Sequence, residues 1–373
     1  MRRLFTAAAL AVLAIGLLAG SAGGRPNSLP KTFFGIAPQT ELTDTDTAYM
    51  KAGGIGSIRI PFNWSVIQPT AKPVYDWRSV DAVVEAAARR GLTVFPFLYA
   101  TPRWLAPKPT ALPIDSSRAR KAWLAFVKAA VERYRPGGEF WSDHAPAAAG
   151  VNYVPAIPRP EPIRTWQVWN EANFFYFAYP VSPGRYARLL KLTHATIKAA
   201  DPGAEVILSG LFGSPDERGK KGMPAAQFLK ALYRVPGIKA DFDAVALHPY
   251  AFHVDDFEEL TEGIREVVVE NHDPQTGLYI TELGWGSQND PSVVAFEQGI
   301  RGQARELSAA YSFLIDNRNR LKIKGSYWFS WKDAPPGVCN FCDSVGLFRA
   351  GKGFRSKPAW HALVHLTGGR ARP

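Results

Sequence analysis

Eight short apolar segments alternate with helix-length segments along this 373-residue chain, and that alternation limits the folds open to it. The strand candidates are residues 33–37, 57–62, 93–99, 165–171, 205–212, 244–250, 278–282 and 326–331. Between them, apolar residues recur at helical spacing: Val80, Val83, Val84 and Ala87 within 80–90, and Trp123, Phe126, Val127 and Ala130 within 118–133. Gly91 stops the first of these helices. Further helices are expected over 184–200, 225–233, 256–270 and 293–316. Near-continuous apolar strands mark a parallel sheet covered on both faces. Eight such units over about 340 residues suit an α/β fold of the closed (β/α)8, or TIM, barrel type, one domain over residues 30–370. An open doubly wound sheet is the alternative, and no Gly-x-Gly-x-x-Gly follows the first strand to support it. Residues 135–162, rich in Pro, Gly and Ala, read as a long loop into strand four. That loop is expected to do most to shape a pocket. About 40 residues follow strand eight, room for a loop and a closing helix.

The first 24 residues read as a targeting segment. Arg2 and Arg3 precede an apolar run over 4–20, and small residues follow through Gly24. This is the layout of a signal peptide cleaved near Ala22, which makes the protein secreted. An uncleaved membrane anchor is the alternative, although the run is short for a full span. The only cysteines, Cys339 and Cys342, stand in Cys-Asn-Phe-Cys. Export favours a loop-stapling disulfide between them. Free thiols or a redox or metal motif are the other readings, but no His stands close by to help build a zinc site.

Formal net charge is +11, and removal of Arg2 and Arg3 leaves +9. The basic residues gather late, at Arg318, Arg320, Lys322 and Lys324 and again at Arg349, Lys352, Arg355 and Lys357. A solvated basic surface is one reading. Association with an anionic wall polymer or a membrane surface is the other. No nucleic-acid motif accompanies the charge, so no nucleic-acid partner is expected.

In barrels of this kind the residues at the C-terminal strand ends form the site. Here those ends are polar or aromatic. Strand two carries Arg59, and strand three leads to Trp104. Strand four ends in Trp169-Asn170-Glu171 and runs into Phe174, Phe175, Tyr176, Phe177 and Tyr179. Strand six gives His248 and Tyr250, strand seven Glu282 and then Trp285, strand eight Trp328, Trp331 and Asp333. A carboxylate closing an apolar strand is costly unless something satisfies it or uses it. Alternation groups Glu282 with Leu278 and Ile280, the side read as facing inward. Asn170 and Glu171 are adjacent, so both reach a ligand only if strand four bends at its end. Paired carboxylates are what glycosidic bond cleavage needs: one donates a proton to the leaving oxygen, the other attacks the anomeric carbon or activates water.

With these motifs in view, Trp169-Asn170-Glu171 and Thr281-Glu282-Leu283-Gly284-Trp285 resemble those of the clan of retaining glycoside hydrolases that carry glutamates on barrel strands four and seven. The chain is most similar to single-domain members related to families 39 and 5. Arg59 through Pro69, residues 134–141, His248 to Tyr250 and Trp328 to Trp331 support the likeness. The resemblance implies a retaining β-glycoside hydrolase with Glu171 as acid/base and Glu282 as nucleophile. It implies that Asn170 holds the sugar 2-hydroxyl, that Arg59 and Tyr250 orient Glu282, and that Trp328 forms the floor under the reactive sugar. His248, Trp104 and Trp285 join the substrate-binding set, and Asp333 is a further candidate. At least one aromatic of the Phe174–Tyr179 run is expected to stack on sugar. A carbohydrate substrate, no cofactor, no metal and a monomer complete the expectation. Transglycosylation by the same site, or a non-catalytic glycan-binding barrel, are the alternatives. Many relatives carry Pro where Ala172 stands, and many family 39 exo-enzymes carry a β-sandwich after the barrel.

Overall fold

The computed structural model describes residues 29–215, 221–289, 296–351 and 353–373. The signal-peptide reading of residues 1–24 and the basic residue Lys352 lie outside the described residues. Eight parallel strands close into a barrel in sequence order: β1 Phe34–Ile36, β2 Ser57–Asn63, β3 Thr93–Tyr99, β4 Thr165–Val168, β5 Glu205–Phe212, β6 Ala244–His248, β7 Gly277–Leu283 and β8 Ile323–Trp328. β8 closes on β1 with Phe34 beside Ser326 and Ile36 beside Trp328. The α/β barrel expected from the alternation is the fold observed.

The helices that cover it are α1 Asp44–Ala52, α2 Trp64–Ile67, α3 Arg78–Arg89, α4 Ser117–Tyr134, α5 Glu139–Asp143, α6 Pro146–Asn152, α7 Pro183–Ala200, α8 Ala225–Tyr233, α9 Val254–Glu270, α10 Gly299–Asp316, α11 Arg318–Leu321 and α12 Pro358–Thr367. Each long one buries the stripe its spacing provides. α3 turns Val80, Val84, Ala87 and Ala88 inward, and α4 turns Trp123, Phe126, Val127, Ala130 and Val131. No described helix is long and apolar enough to cross a membrane.

Inside the barrel, Phe95 packs edge-on against Tyr279 and Tyr327, both at 5.2 Å between ring centres. The Tyr327 hydroxyl lies 3.0 Å from the Ser57 hydroxyl. Such filled layers make the interior a core rather than a pore. They also form the floor on which the polar residues at the strand ends stand.

Two expectations need correction. Residues 135–162 are not a bare loop at a pocket. They carry α5 and α6, and they run from a helix into β4. That places them at the N-terminal end of the barrel, opposite the strand ends that carry the carboxylates. Contacts agree: Glu161 pairs with Lys31, which precedes β1, at 2.7 Å. Nor is the late run of basic residues a uniform surface. Lys357 is buried, with its ammonium 2.6 Å from Asp333, and Lys324 is paired with Glu205. Cys339 and Cys342 are joined by a disulfide.

Candidate active site

Six of the polar residues singled out in the sequence converge at the C-terminal end of the barrel: Arg59, Asn170, Glu171, His248, Tyr250 and Glu282. The local backbone explains how two adjacent residues of β4 both arrive. Trp169 and Glu171 adopt positive φ, +71° and +39°, a region that non-glycine residues seldom enter. These turns end the regular strand at Val168, short of the expected Glu171. Pairing with β5 still continues past the bend, since Asn170 bridges Gly210 and the Glu171 N–H donates to the Gly210 carbonyl at 3.1 Å. The alternation that would send Asn170 and Glu171 to opposite sides is thereby cancelled.

Glu282 reaches the site by a different device from the alternation expected of its strand. Leu278 and Ile280 pack in the outer core with the helices, whereas Tyr279 faces the barrel interior. Strict alternation would send Glu282 outward with Ile280. The register of β7 on β8 shifts between Ile280 and Leu283, with Ile280 beside Ser326 and Leu283 beside Trp328. Three residues of β7 thus span two of β8, and this bulge turns Glu282 back to the interior.

Arg59 knits the site together. Its Nε donates to Gln167 Oε1 at 3.0 Å, Nη1 to Glu282 Oε1 at 2.6 Å and Nη2 to Asn170 Oδ1 at 2.7 Å. The guanidinium lies 4.2 Å from the centre of the Phe97 ring. Three directed donors on a planar head fix both the carboxylate and the amide. The Tyr250 hydroxyl donates to the other Glu282 oxygen at 2.9 Å. Glu282 is therefore met by a cation on one oxygen and a hydroxyl on the other.

Glu171 has a neutral neighbour. Its Oε1 lies 2.7 Å from His248 Nδ1. Burial pushes the Glu171 carboxyl well above the usual carboxylate range; the nearby Glu282 charge adds to this, and Arg59 opposes it. Burial, reinforced by Arg59, pushes His248 well below the usual imidazole range. Both shifts favour the uncharged forms, so a neutral imidazole stands beside a carboxyl that keeps its proton to higher pH than an ordinary carboxylic acid. Burial, with the Glu171 charge behind it, likewise lifts the Tyr99 phenol on β3 to about 12. Oxygens of Glu171 and Glu282 and a nitrogen of His248 lie within 4.8 Å of one another. Such a trio has the donors of a cation site, but the Arg59 guanidinium already sits on Glu282 and repels a divalent ion. As assembled, the site sets a carboxyl that favours its protonated form beside a second carboxyl held by a cation and a hydroxyl.

The tryptophans are placed differently from expectation. Trp328 is fully buried, with its indole N–H 3.2 Å from the Val345 carbonyl, so it is no floor for a sugar. Phe329, the next residue, stands instead 6.1 Å from the Tyr250 ring. Trp285 packs against Phe257 and Trp328 and donates to the Phe252 carbonyl. Trp331 is buried and donates to Asp46 at 2.7 Å. Trp104 is held by the Gln68 carbonyl and by Trp64 on the outer side of the β3–α4 loop. Asp333 is engaged by Lys357 and by the Gly346 N–H. None of these joins the carboxylates. The aromatic run after Glu171 does connect to them, since Phe174 stacks on Phe212 at 5.2 Å and Phe212 lies 6.1 Å from Tyr250. At the rim, Tyr176 is exposed.

Several contributors escaped the sequence reading. Gln167 holds Arg59, and Phe97 underlies it. Phe341, inside the disulfide loop, packs 5.4 Å from Tyr250. Gly210 is required by close approach, because a β-carbon there would lie 2.0 Å from His248 Nε2. A lone glycine inside an apolar strand is the signal that could have revealed it.

The sequence matches no family model and no curated protein. Its fold does match solved structures. A family 39 glycoside hydrolase from the gut symbiont Bacteroides cellulosilyticus WH2 superposes with a TM-score of 0.63 at 17% identity, over 91% of this chain and 65% of that one. A GH39 β-xylosidase from Caulobacter crescentus gives 0.59 at 19% identity, over 92% of this chain and 73% of the other. Xylanase 10B from Thermotoga maritima gives 0.59 at 15% identity, over 91% and 95%. This chain thus spans about two thirds of the length of the first of these and nearly all of the last, and what they share with it is the barrel.

Proposed function

We propose that this protein is a glycoside hydrolase that cleaves β-linked glycans with retention of configuration, through a covalent glycosyl-enzyme. The observation that carries the reading is the pair of carboxyl groups, with one oxygen of each within 4.8 Å and with opposite surroundings. Retaining enzymes hold their carboxyls about 5–5.5 Å apart, and inverting ones about 6.5–9.5 Å, to admit a water. The xylosidase, xylanase and family 39 hydrolase that share the fold support the same reading.

In this mechanism the protonated Glu171 gives its proton to the glycosidic oxygen as that bond breaks. Glu282, held by Arg59 and Tyr250, attacks the anomeric carbon and forms an ester. Once the ester has formed, the Glu282 charge that helps raise Glu171 is gone. Glu171, now a carboxylate, takes a proton from water, which attacks the same carbon and releases the sugar. The Asn170 amide nitrogen makes no hydrogen bond among the described residues and is left to hold the sugar 2-hydroxyl. The row from Phe174 through Phe212 to Tyr250 provides aromatic faces for sugar rings next to the acid/base residue. Export is part of the proposal, supported by the apolar run over 4–20 and by the cystine.

The test is reducing-end release from a panel of β-linked plant, microbial and anionic polysaccharides, with wild type beside Glu282→Gln. Release by wild type alone, with the β-anomer appearing first by NMR, is the expected result. Equal release by both proteins, or first appearance of the α-anomer, would overturn the double-displacement reading.

A further inference from the structure

Positive charge without partners collects at the end of the barrel opposite the carboxylates. Arg234 and Lys239 lie in the connection from α8 to β6, Arg318 and Lys322 in the connection from α10 to β8, and Arg370 and Arg372 after α12. The last pair is tied down at this end, because the Arg370 N–H donates to the Ala52 carbonyl at 2.7 Å, just before β2. Arg318 is half-buried and the other five are exposed. None has a carboxylate partner within 4 Å among the described residues. The acids of the α8–β6 connection are engaged elsewhere, Asp243 by Lys198 at 2.9 Å and Asp241 by Lys191 at 3.9 Å, and Asp273, between α9 and β7, accepts from the Tyr233 hydroxyl at 3.0 Å. Asp316 is the exposed exception. The opposite end mixes both signs, with exposed Arg103 and Arg349 against Glu41 and Asp256.

The six cations form an arc from β6 past β8 to β1, and β1 is where the N-terminal segment joins the barrel. Residues 4–20 form an apolar run, separated from the first described residue by eight positions. Eight residues reach at most roughly 30 Å when fully extended. In the chain that keeps this run, as in the membrane-anchor alternative, a lipid surface that takes up the run has this arc, and not the mouth, within reach. We propose that the arc is a docking surface for an anionic phospholipid bilayer. The site's mouth then points away from the lipid, open to polymer. The proposal does not depend on the chemistry at the mouth.

The experiment is vesicle flotation of the full-length chain, comparing phosphatidylcholine alone with mixtures containing about one third phosphatidylglycerol, in low salt and at about 0.5 M salt. Binding to neutral vesicles reads the apolar run; the excess on anionic vesicles reads the arc. A cation at such a surface typically contributes about fivefold to partitioning. The variant R318Q/K322Q/R370Q/R372Q is expected to lose at least tenfold of the anionic preference while keeping its neutral binding. K72Q/R103Q/R349Q/R355Q, at the mouth, is the control and should keep the preference. Equal losses in both variants, no anionic preference in wild type, or a preference that survives high salt would overturn the proposal. So would equal capture of wild type by a soluble glycerol-phosphate polymer, which would assign the arc to wall material. If the fourfold arc variant melts early, the single changes Lys322→Gln and Arg372→Gln, on exposed side chains, carry the test, each expected to cost at least twofold.

Discussion

The ends of β4 and β7 deliver the same side chain to the same cleft in opposite condition. Glu171 arrives over a backbone bend at positive φ and meets a neutral imidazole. Glu282 arrives over a bulge and meets a guanidinium and a phenol. Burial is nearly equal, at 5% and 9% exposed, so exposure does not separate them. The partners do. A carboxyl deprived of cationic donors keeps its proton, whereas one with a donor on each oxygen is satisfied as an anion. The contrast between these identical residues is thus written in their neighbours, Arg59 above all.

The largest effect should come from removing each carboxyl in turn and varying the leaving group. Glu282→Ala is expected to lower kcat/KM by at least about 10⁴-fold on every substrate, because no other group can form the ester. Glu171→Ala should lose about 10²–10⁴-fold on ordinary glycosides. On a dinitrophenyl glycoside, whose leaving group needs no proton, it should still release phenol in a burst. Initial-rate and burst measurements on both substrates check this. A burst from the Glu282 variant and none from the Glu171 variant would exchange the roles.

Removing the cation instead of the carboxylates comes next in size. Arg59→Met leaves Glu282 buried without its cation and strips partners from Gln167 and Asn170. A broken buried pair costs about 3–5 kcal/mol, read as a fall in denaturant midpoint. The double variant Arg59→Met/Glu282→Gln should recover a good part of it. His248→Leu should cost less than Arg59→Met, since its partner Glu171 can remain neutral. A larger loss at His248 would break the contrast between the two strand ends.

The residues that carry this contrast were legible in the sequence to an uneven degree. The barrel could be read because eight apolar strands and their helices repeat one pattern, and each element is held by its own periodicity. The two glutamates, Arg59 and Tyr250 could be read because a charge or hydroxyl at the end of an apolar strand has few structural uses. Direction could not be read. Whether Glu282 faces in depends on one extra residue in the ladder between β7 and β8, and no local propensity announces it. The tryptophans misled for a related reason. Trp285 and Trp328 close strands as Tyr250 does, but a large ring is as suited to covering the barrel wall as to facing a sugar, and both cover the wall. Gln167 and Phe97 escaped because their work is done through Arg59, a contact between three strands.

The smallest expected effect is on stability against pH, and it isolates Glu171. Its carboxyl is held well above the ordinary carboxylate range in the folded chain, whereas unfolding returns it to that range. Between the two values the folded protein keeps a proton that the unfolded chain has released. The stability this contributes is complete below the ordinary carboxylate range and is lost as pH rises through the raised value. Glu171→Gln has no proton to lose there. Its unfolding temperature should match that of wild type in acid and exceed it increasingly toward alkaline pH. Glu282→Gln removes one of the two causes of the elevation, so its fall should begin in the same ordinary carboxylate range but level off at lower pH than in wild type, with burial keeping the folded value raised. Wild-type activity should decline on the same rising limb, because the leaving oxygen needs the Glu171 proton. Parallel melting curves for wild type and Glu171→Gln across pH would mean that the β4 carboxyl is no different from the one on β7, and the assignment of acid and nucleophile by their partners would fail with it.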